Sequence, residues 1–94
     1  MRTMDEDHLR SEQHRGQQAK ALLENKILKE AFEKVEAECH RLWAEAKNAE
    51  VREGMWLRLQ SLEHTRNAIE GIVKQGDLAD RKLKQLITGK KSVF

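Results

Sequence analysis

The chain has 94 residues, a net charge of +2, no proline, five glycines and a single cysteine, and 36% of its residues are charged. This length allows one domain at most, the composition favours helices with short connections, and one cysteine excludes an internal disulfide. No stretch approaches the roughly 18–20 apolar residues that span a bilayer, and the N-terminus lacks the apolar core of a signal peptide, so we expect a cytosolic protein without a membrane partner.

The first sixteen residues are polar and show no sustained apolar period, so we predict that 1–16 is a flexible segment. From Gln17 onwards strong helix formers dominate, and a single helical domain is predicted for 17–88, followed by a basic tail at 89–94. Within this domain the apolar stretch "AKALLE" precedes Asn25. We expect Asn25 to cap the next helix, because asparagine is among the preferred N-cap residues.

Two heptad seams of equal length predict a helical hairpin. Each seam steps by 4, 3, 4, 3 and 4 residues, which is the spacing of helices that pack along each other. The two seams are out of phase across Asn48, a residue that turns tolerate well. The sequence therefore predicts an all-α fold, in which an antiparallel hairpin of helices at about 26–47 and 50–75 bends at Lys47–Glu50 and shorter flanking helices complete a small bundle. The seam residues are Leu28, Phe32, Val35, Cys39, Leu42 and Ala46, then Met55, Leu59, Leu62, Arg66, Ile69 and Val73.

The hairpin register places Trp43 and Trp56 at the same level, on one side of the seam and beside the turn. Each indole buries up to about 150–250 Å², which two helices cannot cover. Either another segment covers them, as in the core of a three- or four-helix bundle, or another molecule does. The candidate partner interface consists of Leu22, Leu23, Trp43, Trp56 and Leu57.

Arg66 is the one charged residue in the second seam, and the register places it opposite Phe32. A buried charge needs a partner, and Glu36 or Glu33 can supply it, while the ring of Phe32 can receive the guanidinium. We expect this arrangement to fix the register of the hairpin.

The C-terminal stretch "KQGDLADRKLKQLITG" predicts a helix stop followed by a short helix. Gly76 is expected to end the long helix, Asp77 to cap a helix at about 78–88, and Gly89 to end it. Residues 74–94 carry six basic and two acidic side chains, a net charge of +4. This end is either a solvated tail or a contact for nucleic acid or for an acidic partner. The affinity for nucleic acid would fall steeply with salt. The candidate contacts are Arg81, Lys82, Lys84, Lys90 and Lys91.

No catalytic, metal or cofactor motif stands out. Cys39 occupies a core spacing, and its neighbour His40 points to a different helix face, so we interpret the thiol as packed. There is no ligand spacing for zinc, no glycine-rich phosphate loop and no nucleophile elbow. We expect no enzyme activity, no cofactor and no metal.

Four segments resemble a family of short, all-helical, phage-encoded proteins of mostly unassigned function. They are "LLENKILKEAF" (22–32), Trp43, "REGMW" (52–56) and "IVKQGDLA" (72–79), and together they span about 22–79. The chain departs from the family at Lys26, where a proline is common, and its connection after Trp43 is about two residues shorter. The resemblance implies a phage or prophage origin, a role in the virion or in DNA packaging, and a location in the host bacterial cytoplasm or the virion.

Two functions remain open. The first is a structural, assembly or packaging module that self-associates, as a homo-oligomer, or binds a larger phage or host protein. The alternative is a small nucleic-acid-binding accessory or regulatory protein that uses the basic C-terminal segment.

Overall fold

The computed structural model describes the backbone of residues 4–92 and the side chains of residues 5–89. Within this part, the chain forms three helices and no strand. Helix α1 spans Met4–Glu24, α2 spans Lys26–Glu45 and α3 spans Ala49–Ser92. The prediction of an all-α fold is confirmed.

Asparagine side chains mark the start of α2 and of α3. The backbone of Asn25 is extended, with φ −67° and ψ 122°, and its side-chain oxygen accepts a hydrogen bond from the Leu28 N–H at 2.9 Å. The side-chain oxygen of Asn48 accepts from the Val51 N–H at the same distance. Each contact satisfies an N–H that has no partner within its helix. The predicted cap at Asn25 is confirmed.

The hairpin turn lies slightly earlier than the sequence predicts. Helix α2 ends at Glu45, and Ala46 takes an extended conformation, with ψ 132°, while its N–H donates to the Trp43 carbonyl at 3.3 Å. Helix α3 begins at Ala49. The connection is therefore 46–48 rather than Lys47–Glu50, because Asn48 serves as the cap of the second helix and not as the middle of the turn.

The predicted helix stop at Gly76 is wrong. Helix α3 continues through Gly76, Asp77 and Gly89 to Ser92, so there is neither a break nor a separate short helix at 78–88. No glycine in the described backbone has a positive φ, the conformation that a C′ glycine would take. Residues 89–92 of the predicted tail are likewise helical.

The chain divides into two compact units. The hairpin unit comprises Leu23–Ala68 and pairs α2 with the first part of α3. Its helices are antiparallel, because Glu36 of α2 contacts Arg66 of α3 while Trp43 and Trp56 meet nearer the turn. Cys39 is buried in the seam, as predicted. Val35, also predicted for the seam, is instead 44% exposed. The other seam side chains of this unit are half-buried: Leu28, Phe32, Leu42, Ala46, Met55, Leu59, Leu62 and Arg66.

The terminal unit comprises Met1–Leu22 and Ile69–Phe94, and pairs α1 with the last part of α3. The two helices cross where Gly16 faces Gly76, and a Cβ on either glycine would lie 2.6 Å from the Cα of the other. Ala19 and Ala79, three residues beyond each glycine, are both 3% exposed. The segment 1–16, which we expected to be flexible, is helical from Met4 onwards, because small residues let its backbone pack closely on α3.

Candidate interaction surface

Four side chains of the hairpin unit line a surface cavity of about 270 Å³. His40 and Trp43 lie three residues apart on α2, and Trp56 and Leu59 lie three apart on α3, so each pair shares one face of its helix. Trp43 is 46% exposed and Trp56 is 52% exposed. We call His40, Trp43, Trp56 and Leu59 the tryptophan flank. The heptad register correctly predicts that the two indoles meet beside the turn.

A second cavity of about 380 Å³ lies on the other side of the same seam. If Leu28 and Met55 are counted as d positions of the heptads, the tryptophans occupy e positions and Glu38 and Arg58 occupy g positions. In an antiparallel pair the e positions flank one side of the seam and the g positions flank the other. Leu57 lines this second cavity and not the tryptophan flank, because it lies about 100° around the helix from Trp56. We call this surface the g-side cavity; its lining residues are Val35, Glu38, Cys39, Leu42, Leu57, Arg58 and Ser61.

The other two candidate interface residues, Leu22 and Leu23, do not line the tryptophan flank. Leu22 is 52% exposed near the end of α1 and belongs to the terminal unit, while Leu23 is half-buried and belongs to the hairpin unit. The structure thus brings together only Trp43 and Trp56 of the five predicted interface residues.

His40 and Leu59 complete the tryptophan flank, although neither is among the five predicted interface residues. The heptad pattern predicts a seam position for Leu59, and the sequence offers His40 only as the neighbour of Cys39. The helical spacing of three residues from His40 to Trp43 and from Trp56 to Leu59 is the signal that identifies both.

Arg66 has the contacts that its place in the seam predicts, but it is only half-buried. Its guanidinium lies 3.0 Å from the Glu36 carboxylate and 3.5 Å from that of Glu63, and its Cζ lies 5.1 Å from the ring centroid of Phe32. The second carboxylate is Glu63 of the same helix rather than Glu33. The side chains of Arg66 and Glu36 retain 30% and 35% of their exposure, so water still reaches the pair.

The basic segment presents exposed cations, one of which is already paired. Arg81, Lys82 and Lys84 are exposed on α3, and the ammonium of Lys84 lies 3.0 Å from the Asp80 carboxylate. This hydrogen bond from Lys84, together with one from Gln13 at 2.7 Å, holds the pKa of Asp80 below its ordinary value, although partial burial opposes the shift. The side chains of Lys90 and Lys91 lie outside the described residues.

The described side chains include no group of three or more histidine, cysteine, aspartate or glutamate residues placed to hold a metal ion. No helix in the described part of the chain is long and apolar enough to cross a membrane. Comparisons with protein-family models, with curated proteins and with solved structures found no match to this chain.

Proposed function

We propose that this protein is a non-enzymatic helical interaction module of phage or prophage origin, which associates with copies of itself or with a larger protein during virion assembly or DNA packaging. The phage origin, and a location in the bacterial cytoplasm or the virion, rest on the sequence resemblance at about 22–79. The interaction role rests on exposed apolar surface.

The observation that carries the proposal is the exposure of the two tryptophans. Among the described residues only Ala19, Cys39, Ala79 and Leu83 are buried hydrophobics, while both indoles remain about half exposed. Tryptophan is enriched at the centres of protein interfaces, where truncation commonly costs about 2 kcal/mol or more of binding free energy. Because neither hairpin helix covers the indoles, we propose that a protein partner buries them.

The arrangement of charges supports the nucleic-acid alternative less than the exposed tryptophans support the interaction role. Lys84 is partly neutralised by Asp80, and Arg81 and Lys82 are successive residues that point about 100° apart on the helix. A surface that follows a phosphate backbone needs several unpaired cations in one row.

Light scattering at increasing micromolar concentrations tests the interaction role. We expect a mass that is a multiple of the 11.0 kDa chain, or a chain that remains monomeric and forms a defined complex with a larger protein of the phage or host. A chain that stays monomeric and forms no such complex would contradict the proposal. Retention of the chain on DNA at about 50 mM salt, abolished by replacing Arg81 and Lys82 with glutamine, would favour the alternative.

A further inference from the structure

We propose that helix α1 exchanges between copies of the chain: it leaves the α3 of its own chain, with Asn25 as the hinge, and packs on the same face of α3 in a second copy. This inference rests on the proposed interaction role and deepens it, because it names the partner and the contact. Its support comes from the contact between α1 and α3, from the connection between α1 and α2, and from the exposure of Ile27.

The contact between α1 and α3 is made by residues that every copy of the chain supplies. Gly16 of α1 faces Gly76 of α3, and the side-chain amide of Gln13 donates a hydrogen bond to the Asp80 carboxylate at 2.7 Å. This face of α3 is therefore seen with its occupant in place. The α1 of a second copy presents the same surface, which is the condition for exchange of an identical element between protomers.

Little buried apolar surface holds α1 on α3. Ala19 is the one buried apolar side chain of α1 among those that the structure describes. Leu9 and Leu23 are half-buried, and Leu22 is exposed. Segments with few buried apolar contacts open at a lower free energy than the whole protein, so we expect α1 to leave α3 while the hairpin unit stays folded.

The connection between α1 and α2 is a single residue with one backbone angle outside the helical range. Helix α1 ends at Glu24 and α2 begins at Lys26. Asn25 has φ −67° and ψ 122°, so its φ is already helical, and a change of ψ alone to about −42° would continue the helix.

The residues around this connection favour a continuous helix. No proline or glycine lies between positions 17 and 53, and the neighbours of Asn25 are good helix formers. The break is held by the side chain of Asn25, which accepts a hydrogen bond from the Leu28 N–H at 2.9 Å. When α1 leaves α3, it can therefore join α2 in one helix, which presents α1 to another copy.

The exposure of Ile27 also fits the exchanged state. In the closed chain Ile27 is 71% exposed, more than either tryptophan. In a helix that continues through Asn25, Ile27 lies four residues after Leu23 and eleven after Gly16, and so on the face of α1 that contacts α3. The exchanged state thus adds an apolar side chain to this face, whereas the closed chain leaves it in water.

The direct test is a disulfide between two chains that each carry one new cysteine, with Cys39→Ala in both. A chain with Gln13→Cys is mixed with a chain with Asp80→Cys under mild oxidation by glutathione. Because these positions contact each other across α1 and α3, we expect a cross-link that joins position 13 of one copy to position 80 of the other. His14→Cys replaces Gln13→Cys as the control for random collisions, since His14 is exposed and lies about 100° around the helix from Gln13.

The role of the hinge is tested by Lys26→Pro against Lys26→Ala. Proline is favoured at the first position of a helix, and the residue before it prefers the extended conformation that Asn25 already has. Within a continuous helix the same proline would lack a donor and clash with the preceding turn. We expect Lys26→Pro to abolish the cross-link and Lys26→Ala to retain it, while circular dichroism confirms that both variants remain helical.

Two further substitutions should shift the dissociation constant of the dimer, measured by sedimentation, in opposite directions. Asn25→Ala removes the cap and supplies a better helix former, so we expect the constant to fall by about 2- to 30-fold for each hinge, the range for loss of an N-cap. Ile27→Gln should raise the constant and leave the stability of the closed chain unchanged, because Ile27 is already in water there.

Several outcomes would overturn the inference. They are no cross-link between positions 13 and 80 even with Asn25→Ala, as much cross-link from the His14→Cys control, or as much from Lys26→Pro as from Lys26→Ala. If Asn25→Ala loses its helical signal, the two Lys26 variants decide alone. After such a failure, a homo-oligomer or a defined complex with a larger protein in light scattering would preserve the proposed function, and the absence of both would remove it as well.

Discussion

Two glycines determine how closely α1 approaches α3. A Cβ on Gly16 would also lie 3.4 Å from the Ile72 carbonyl oxygen, and one on Gly76 would lie 3.1 Å from that of Glu12. The obstacles are backbone atoms, which cannot rotate away as a flexible side chain can. Glycine inside a helix costs about 0.5–1 kcal/mol relative to alanine, so the packing at this crossing offsets an intrinsic penalty in both helices.

Replacing either crossing glycine by alanine should therefore destabilise the protein. We expect Gly16→Ala and Gly76→Ala each to lower the free energy of unfolding by about 1–3 kcal/mol, as overpacking does. Gly71→Ala is the matched control, because a Cβ there meets no atom within 4 Å, and it should raise stability by about 0.4–1 kcal/mol. Urea denaturation followed by circular dichroism, at one protein concentration, measures all three. Equal stability of the Gly76 and Gly71 variants would show that the backbones of α1 and α3 are not in close contact at Gly16 and Gly76.

Asp80 makes the terminal unit sensitive to acid. Because hydrogen bonds from Lys84 and Gln13 lower the pKa of Asp80 below its ordinary value of 3.8, the ionised form stabilises the folded state. This contribution is present above pH 3.8 and is lost as the pH falls through the lower pKa of the folded protein.

Asp80→Asn should accordingly lower the melting temperature at neutral pH, and its difference from wild type should shrink as the pH falls below 3.8. Thermal melts over this pH range measure the difference. In a Lys84→Gln background the same substitution should have a smaller effect, since the principal cause of the shift has been removed. A pH-independent difference would mean that the carboxylate acts through packing and not through its charge.

At the scale of the helices, asparagines determine where α2 and α3 begin. We expect Asn48→Ala to cost about 0.5–2 kcal/mol, because it removes the acceptor for the Val51 N–H. Asn67→Ala is the control; Asn67 is exposed in the interior of α3, where alanine is the better helix former, so stability should be unchanged or slightly higher. The midpoints of chemical denaturation compare the stabilities of the two variants. Equal effects of the two substitutions would exclude a capping role for Asn48.

The sequence predicts the hairpin well because its signals are local. The heptad steps, the phase shift near Asn48 and the cap at Asn25 all lie within a few residues of the features they specify. The same local signals mislead at Gly76, where glycine followed by aspartate is typical of a helix end. Its actual role is to contact Gly16, sixty residues away in sequence, and no local pattern carries that information. The segment 4–16 is missed for the same reason, since small residues at a close crossing produce no apolar period.

At the scale of the whole molecule, self-association would couple stability to concentration. If the chain associates with copies of itself, as the proposed function allows, association stabilises the folded state by mass action, and the melting temperature should rise with protein concentration. Trp56→Glu should reduce this dependence, because the exposed tryptophans carry the proposed interaction, while Val51→Glu keeps it. Calorimetry at several concentrations provides the measurement, and a wild-type melting temperature that does not change with concentration would contradict self-association.

The three-residue connection at 46–48 has a consequence for the order of folding. Residues that pair in the hairpin unit are closer in sequence: Glu36 and Arg66 are 30 positions apart, whereas Gln13 and Asp80 of the terminal unit are 67 apart. Each doubling of the length of a loop raises the entropic cost of closing it by about 0.6 kcal/mol. If the hairpin forms first, the effective loop between α1 and the end of α3 is shorter, and its closure costs less. Pulse-labelled hydrogen exchange during refolding should thus find amides of α2 protected before those of α1, and protection of α1 first would refute this order. On this pathway the hairpin presents its two indoles to water before α1 has paired with α3, so a protein partner can bind them while the rest of the chain is still folding.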